Sequence, residues 1–380
     1  MRMKALTDSQ IVAARSAAPV RHYVPGGCEN GGGIGRLVGY IASAAREAGR
    51  AHLVTDTRGP RWFAPTSLPR LLGAILIMAR DRIVAPERIH HIHVAGRGST
   101  SRKLILTQAA RFLGCLHVLH LHDYDYSTDF AARSLHRQLL IRRMFQHAHY
   151  VVALGQRDRA TLVRLLGVDE RRIVVAHNCV PDPGPRSART AETPLIVFLG
   201  RLSERKGVTE LLFALSHPVM KELRWRAVLA GDGPVEDYRR RATAMALSNR
   251  VEMPGWLGVD DTRALCARAD ILVLPSHAEG MAMAVIEGLA HGLAVVTTRV
   301  GAHEEAISDG KTGLFVPVGD SDALAAALAK LVSDPEARKH LSAKGRAHFL
   351  RHFSMKAYLQ SLERLYEAVS AQPQSKVGAP

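Results

Sequence analysis

Apolar residues along the chain alternate between two patterns. Short β-branched runs at 21–25, 51–55, 89–94, 116–121, 150–154 and 173–176 predict strands, with helical-period segments between several of them. Strand and helix in strict alternation is the pattern of βαβ units around a parallel sheet. The alternation lapses at 181–194, where Pro, Ser and Thr dominate and no period survives, so this stretch predicts a linker. It then restarts, with strands at 195–199, 226–230, 251–253, 271–274, 294–297 and 313–316. A last helical stretch at 352–371 follows the complete second set and can return to the first.

These elements predict an N-terminal Rossmann-like domain at 1–180, a second at 195–350 and a C-terminal crossover helix and tail at 351–380. Length agrees, because 380 residues exceed what one core usually supports. Parallel sheets place ligands beyond their strand C-termini, and two such domains would set a cleft between them.

Composition adds a charge argument. With 51 Lys+Arg against 35 Asp+Glu, the chain favours anionic partners, among them phosphorylated small molecules, nucleic acid and anionic membranes. Nucleic acid is disfavoured: aromatics are 5% of residues and do not line up along the basic region as a series of stacking platforms. Cys28, Cys115, Cys179 and Cys266 are far apart, which suits a reducing cytoplasm and neither a disulfide framework nor a zinc knuckle. No secretory leader or membrane span is expected.

The densest chemistry lies at 275–320. A strand ends at Pro275, a loop carries Glu279 and Gly280, and a helix is predicted to start near Ala282, with Met281 just before it. Free N–H groups at a helix start suit a diphosphate. Glu279 precedes that helix and Glu287 lies on its second turn. Carboxylates repel phosphate, so both fit sugar and ribose hydroxyls on either side of it. Arg201 and Lys206 follow the 195–199 strand, where fixed cations would stabilise charge developing on a leaving phosphate.

At these residues the sequence resembles a family. Glu279 and Glu287 match the E-x7-E signature of family-four glycosyltransferases, enzymes of the two-Rossmann GT-B fold. Gly200-Arg201-Leu202 through Lys206-Gly207 is similar to the family's GRL…KG segment, and Gly231-Asp232-Gly233-Pro234 to its G-x-G-P turn. Gly288 to Gly292 with Val295-Val296, and Asp309-Gly310 with Gly313-Leu314, extend the match, which is dense in the second half and loose in the first. The resemblance implies a retaining transferase using a nucleotide-diphosphate sugar, with no cofactor and no metal. It implies His122, Glu279, Arg201 and Lys206 at the catalytic centre. Its donor pocket would comprise Gly32, Gly33, Arg201, Lys206, Trp256, Glu279, Gly280, Met281, Ala282 and Glu287.

The first half holds weaker signals. Gly31-Gly32-Gly33-Ile34-Gly35 follows the first strand and opens a helix predicted to begin near Arg36. Such glycines serve close ligand approach or merely a tight turn; the family's Gly-Gly loop aligns best with Gly32-Gly33. Histidines crowd two strand ends, at 90–93 and at His117, His120 and His122. Period-two spacing puts His120 and His122 on one strand face, but no acidic ligands accompany them, so no metal site is expected. The family histidine beneath the sugar's anomeric carbon aligns with His122, while His120 and the 90–93 group suit strand packing. Asp123-Tyr124-Asp125 has the form of a DxD metal-nucleotide motif, an accident in a two-Rossmann chain. Gly155 stands where the family often has serine.

Between Arg61 and Arg111 lie nine basic residues and two acids, around an apolar stretch at 71–79 rimmed by Arg70, Arg80 and Arg82. Such a helix suits either an anionic membrane interface or a domain core. The reading is of a hexosyltransferase peripheral on the inner face of the cytoplasmic membrane. Its acceptor would be a saccharide or polyprenyl-diphosphate-linked saccharide in polysaccharide assembly. Its rivals are a double-Rossmann nucleotide-sugar epimerase and a non-catalytic sugar-nucleotide or nucleic-acid-binding protein.

Overall fold

The computed structural model describes residues 19–123, 125–186 and 193–372. It divides into two compact units: unit 1 is Met1–His177 with Met355–Pro380, and unit 2 is Asn178–Ser354. Each holds a six-stranded sheet whose paired strands all run parallel. This is the GT-B pair of Rossmann-like folds. The central part of the 181–194 stretch lies outside the described residues, as does Tyr124 of the DxD-like triplet.

Unit 1 contains β1 (Val20–Val24), β2 (His52–Asp56), β3 (Ile89–Val94), β4 (His117–Leu121), β5 (Tyr150–Ala153) and β6 (Ile173–Val175), in the order β2-β1-β3-β4-β5-β6. Each falls within two residues of its predicted position. Because the chain leaves β1 toward β2 and then returns to β1's other side with β3, the topological switch lies between β1 and β3. The first long helix, Gly32–Glu47, begins four residues before the expected start at Arg36. A short turn of helix, Gly27–Asn30, precedes it. The tight geometry is set by Gly31 and Gly35: a Cβ on either would meet the Gly27 carbonyl oxygen at 2.3 and 2.5 Å. Gly32 takes φ 60 at the helix entry, and around both Gly32 and Gly33 there is open space.

The C-terminal helix Met355–Ser370 belongs to unit 1, where it packs on helix Gly32–Glu47 and on β3. Its buried positions Tyr358, Leu362, Leu365, Tyr366 and Val369 follow the helical period.

Unit 2 contains β7 (Leu195–Leu199), β8 (Arg226–Ala230), β9 (Val251–Gly255), β10 (Ile271–Leu274), β11 (Ala294–Thr298) and β12 (Leu314–Val316), in the order β12-β11-β10-β7-β8-β9. Here the switch lies between β7 and β10. Helix Met283–Ala290 crosses the sheet closely because Gly288 faces it: a Cβ there would sit 3.1 Å from Leu272 and Val295. Residues 181–186 are tied to this unit, with Arg186 donating to the Gly292 carbonyl at 2.9 Å and pairing with Asp270 at 3.0 Å.

The apolar stretch at 71–79 lies in helix Ala64–Val84 and is neither purely core nor purely surface. Leu71, Ala74 and Met78 are buried, while Leu68, Leu72 and Leu76 form an exposed stripe, continued by Ile83 at 82% exposure. Ile75 and Ile77 lie between the two. Two charges of the basic region at 61–111 are interior. Lys103 is fully buried, donating to Thr57 Oγ1 at 2.8 Å and to the Tyr23 carbonyl at 3.3 Å. Asp81 is buried between Arg21 and Arg88.

Candidate active site

In unit 2 the switch point brings together the segments after β7 and β10. The chain leaves β7 through Gly200 and Arg201, makes a 3-10 turn at Glu204–Lys206, and enters helix Val208–Ser216 through Gly207 at φ 70. A Cβ at Gly207 would lie 2.0 Å from the Pro275 carbonyl oxygen, so glycine allows this turn to lie directly against the end of β10. The two segments meet at an ion pair: Lys206 Nζ is 2.5 Å from Glu279 Oε1, with Arg205 Nη1 at 3.4 Å from the same oxygen. Lys206 and Glu279 side chains are 13% and 9% exposed. Burial raises the Glu279 carboxyl pKa, but the Lys206 ammonium and then Arg205 outweigh it and hold the group below its usual range.

The loop bearing Glu279 is fixed from three sides. Arg205 donates to the Ala278 carbonyl at 2.7 Å, and buried Asn178 donates to the Met281 carbonyl at 2.7 Å. Gly301, at φ 58, receives the loop: a Cβ there would sit 2.0 Å from the Gly280 oxygen, and Ala302 N donates to that oxygen at 2.7 Å. Ala282 then caps helix Met283–Ala290 without a side-chain hydrogen bond. Glu287 is buried on that helix's second turn. His303 is also buried; its Nδ1 contacts Thr297 Oγ1 and the Thr298 carbonyl, each at 3.1 Å. Burial lowers its pKa, and Glu279 acts the other way.

Arg201 lies further out, 62% exposed, and donates to Asp232 Oδ2 at 3.1 Å. The G-x-G-P turn interlocks with the GRL segment. A Cβ at Gly231 would be 1.7 Å from the Gly200 oxygen, and Leu202 N donates to the Asp232 carbonyl at 2.7 Å. Trp256 follows β9 and is 62% exposed. The structure thus brings Lys206, Glu279, Gly280, Met281 and Ala282 to one switch point. Arg205, Asn178 and Gly301 join them, and sequence reasoning had passed these three over. Arg205 stood within the quoted GRL…KG segment; Asn178 and Gly301 carried no signal without the fold.

In unit 1 the glycine loop and the segments after β1 and β3 enclose a cavity of about 850 Å³, again at the switch point. Gly31, Gly32, Gly96, Arg58, Trp62 and Arg102 line it among apolar residues. The Arg102 guanidinium stacks over the Trp62 ring at 5.1 Å. Asp56 shapes the loop by accepting from the backbone N–H groups of Gly26, Arg58 and Gly59 at 2.7–3.0 Å.

His122 follows β4, half-buried, with Nε2 2.9 Å from His93 Nδ1. Burial pushes its pKa down to about 3, so the ring is neutral. Asp123 Oδ1 accepts from Asp125 N at 3.0 Å and closes a turn. Gly155 is the N-cap of helix Gln156–Arg164, without a side-chain cap, in extended backbone that a serine would also adopt.

Two family models match in tandem. Residues 31–182 match Glycosyltransferase Family 4, and residues 185–348 match Glycosyl transferases group 1. The chain belongs to these glycosyltransferases. The lipopolysaccharide core biosynthesis glycosyltransferase LpsE of Rhizobium meliloti is 34% identical over 177 residues, 45% of this chain and half of that relative. The GDP-mannose-dependent alpha-(1-6)-phosphatidylinositol monomannoside mannosyltransferase of Mycobacterium tuberculosis is 28% identical over 344 residues, 82% of this chain and 86% of that one. Among solved structures, sucrose-phosphate synthase of Thermosynechococcus elongatus superposes with TM-score 0.75 at 19% identity, covering 92% of this chain and 98% of that one. Anabaena HepE, solved with UDP-glucose, gives 0.70 at 18%, covering 91% and 99%. At such identities these two establish the fold.

Proposed function

We propose that this glycosyltransferase moves a hexose from a UDP- or GDP-linked donor to a saccharide acceptor, lipid-linked, with retention of anomeric configuration. The observation that carries this is the Lys206–Glu279 pair at the switch point of unit 2. A buried cation beside a helix start is suited to a diphosphate, and the carboxylate next to it to sugar hydroxyls. Lys206 and Arg201 take the diphosphate, Glu279 and the Gly280–Met281–Ala282 backbone the sugar, Glu287 the ribose, and Trp256 the base. The family motif assigns His122 to the anomeric carbon and Gly32 and Gly33 to the donor.

Among the described residues no carboxylate besides Glu279 is a candidate nucleophile, and Glu279 pairs with Lys206. Front-face attack follows: the acceptor oxygen bonds to the anomeric carbon as the bond to the diphosphate oxygen breaks, and the leaving phosphate takes the acceptor's proton. The cavity of unit 1 holds the acceptor, with Arg58 and Arg102 supplying positive charge for its phosphate. The named roles of relatives in lipopolysaccharide core and phosphatidylinositol mannoside synthesis agree with a lipid-linked acceptor in cell-surface polysaccharide assembly.

Peripheral attachment to the inner face of the cytoplasmic membrane completes the reading. Among the described residues no helix is long and apolar enough to cross a membrane. Leu68, Leu72, Leu76 and Ile83 nonetheless form an exposed apolar stripe, with Trp62 and Phe63 exposed at its start and Arg70 and Arg80 on its flanks. A panel of UDP- and GDP-sugars, read by acceptor-dependent nucleotide release with the product's anomeric configuration determined by NMR, tests the function. Epimerised donor without acceptor, or an inverted product, would refute it.

A further inference from the structure

One face of the sheet in unit 1 is lined with imidazoles. His22 on β1 and His91 on β3 are register partners, as are His93 on β3 and His120 on β4. Period-two spacing adds His52 and His122 to the same face. Four of these six rings are completely buried, where sheet faces are normally apolar. Their nitrogens satisfy one another. His22 bridges His52 and His93 at 3.0 Å each, His93 Nδ1 meets His122 Nε2 at 2.9 Å, and His91 links His120 Nδ1 at 3.3 Å to the Tyr366 hydroxyl at 2.7 Å. Within this cluster His120 Nε2 is buried with no hydrogen-bond partner among the described residues.

We propose that His93, His120 and His122 bind a first-row transition-metal ion of the zinc(II) class. One ring nitrogen from each of the three lies within 4.8 Å of the others. A tetrahedral zinc site, with Zn–N near 2.0–2.1 Å, sets its nitrogens about 3.4 Å apart. Small ring rotations therefore suffice. Neutral imidazole is the form that ligates, and three of them with an open fourth position match zinc, cobalt, nickel or copper.

The surrounding contacts are those of a metal site's outer shell. His22 holds the second nitrogen of His93, and His91, itself fixed by Tyr366, holds that of His120. A second triad, His22, His91 and His93, lies entirely inside the core. The His122 triad is the more accessible one, because His122 is only partly buried, at the strand end. Sequence spacing could not reveal it, since the third ligand comes from a different strand.

An ion held there takes one ring nitrogen of His122 and fixes the ring. Resting on the role proposed for His122, the ion is then a reversible inhibitor, and the metal-free protein is the active form.

The test uses untagged, chelator-stripped full-length protein carrying His352→Gln, which removes a surface pair with His348. Cobalt(II) should bind at one equivalent with the visible absorption of a four-coordinate site, and zinc should displace it. His120→Gln and His122→Gln should each weaken binding at least tenfold; the second changes a ring only partly buried, at the strand end. His22→Gln should weaken it less, as an outer-shell change does. No absorption at one equivalent, or undiminished binding in a folded His122→Gln protein, overturns the site. Zinc binding without inhibition of transfer overturns instead the role of His122, which separates the two failures.

Discussion

Replacing Lys206 by Ala removes the main cation facing Glu279 and leaves a carboxylate 9% exposed beside Arg205 alone. Breaking a buried pair by deleting one partner costs about 3–5 kcal/mol. Arg205, 36% exposed and 3.4 Å away, retains part of the attraction, which puts the loss near the lower end, about 3 kcal/mol. For a domain the size of unit 2 that corresponds to a melting temperature lower by roughly 6–12 °C. The pH dependence carries the sign. In the wild type the folded pKa of Glu279 is depressed, so its stabilisation is present above the unfolded value of about 4.3 and is lost as pH falls through the folded one. In Lys206→Ala burial dominates and the folded pKa rises above the unfolded value, so the mutant's deficit is largest near neutrality and shrinks toward pH 4. Calorimetric melting of wild type, Lys206→Ala, Glu279→Gln and the double variant measures both the loss and the coupling. An unchanged melting temperature near neutral pH, or strictly additive single losses, would refute the buried-pair reasoning. In the folded variant, kcat/KM should also fall by an amount equivalent to about 2–4 kcal/mol, the loss of a preorganised charge at the leaving group.

Gly301→Ala should destabilise unit 2 by roughly 1–3 kcal/mol and depress turnover, because φ 58 and a 2.0 Å contact with the Gly280 oxygen force the Glu279 loop to move; normal melting and kinetics would contradict this. Leu72→Ser with Leu76→Ser should abolish flotation with anionic vesicles and leave the melting temperature nearly unchanged, whereas Ile75 and Ile77, closer to the core, are poor probes; retained flotation would dismiss the exposed stripe as a membrane contact. Unit 1 should be acid-labile. His90 and His117 titrate near 4 and 3 when folded because burial disfavours their charge, against about 6.5 unfolded, so each loses about 2 kcal/mol of stabilisation between pH 7.5 and 5. Hydrogen-exchange protection of β3 and β4 peptides that stays constant over that range would argue otherwise.

The strands were readable because each buried run is short, β-branched and bounded by turn residues, and all twelve lie close to their expected positions. The helix Gly32–Glu47 begins before its expected start because three of its first four residues are glycines, which propensity assigns to loop, whereas the close approach of Gly35 to the Gly27 carbonyl seats this turn in the helix. The motif residues announced Lys206 and Glu279 but not their mutual pairing, which depends on β7 and β10 being neighbours in space. Arg205, Asn178 and Gly301 act on the same loop from distant points of the chain. The histidines were visible as a crowd, but only the register of β1, β3 and β4 shows which of them share a face. At 71–79, apolar content alone did not separate the buried stripe, Leu71, Ala74 and Met78, from the exposed leucines, since both are apolar.

Unit 1 is discontinuous: its last helix, Met355–Ser370, comes after the whole of unit 2. On the ribosome, the sheet of β1 to β6 is therefore complete long before the helix that seats Tyr366 against His91 has been made. At about 5–20 residues per second, the roughly 180 intervening residues take on the order of 9–35 s to synthesise. During that interval the imidazole-lined face waits without its C-terminal cover while unit 2 is free to fold. A nascent chain stalled or cleaved before Met355 would present that face to solvent and chaperones, which makes the final helix the step that commits the newborn protein to its finished form.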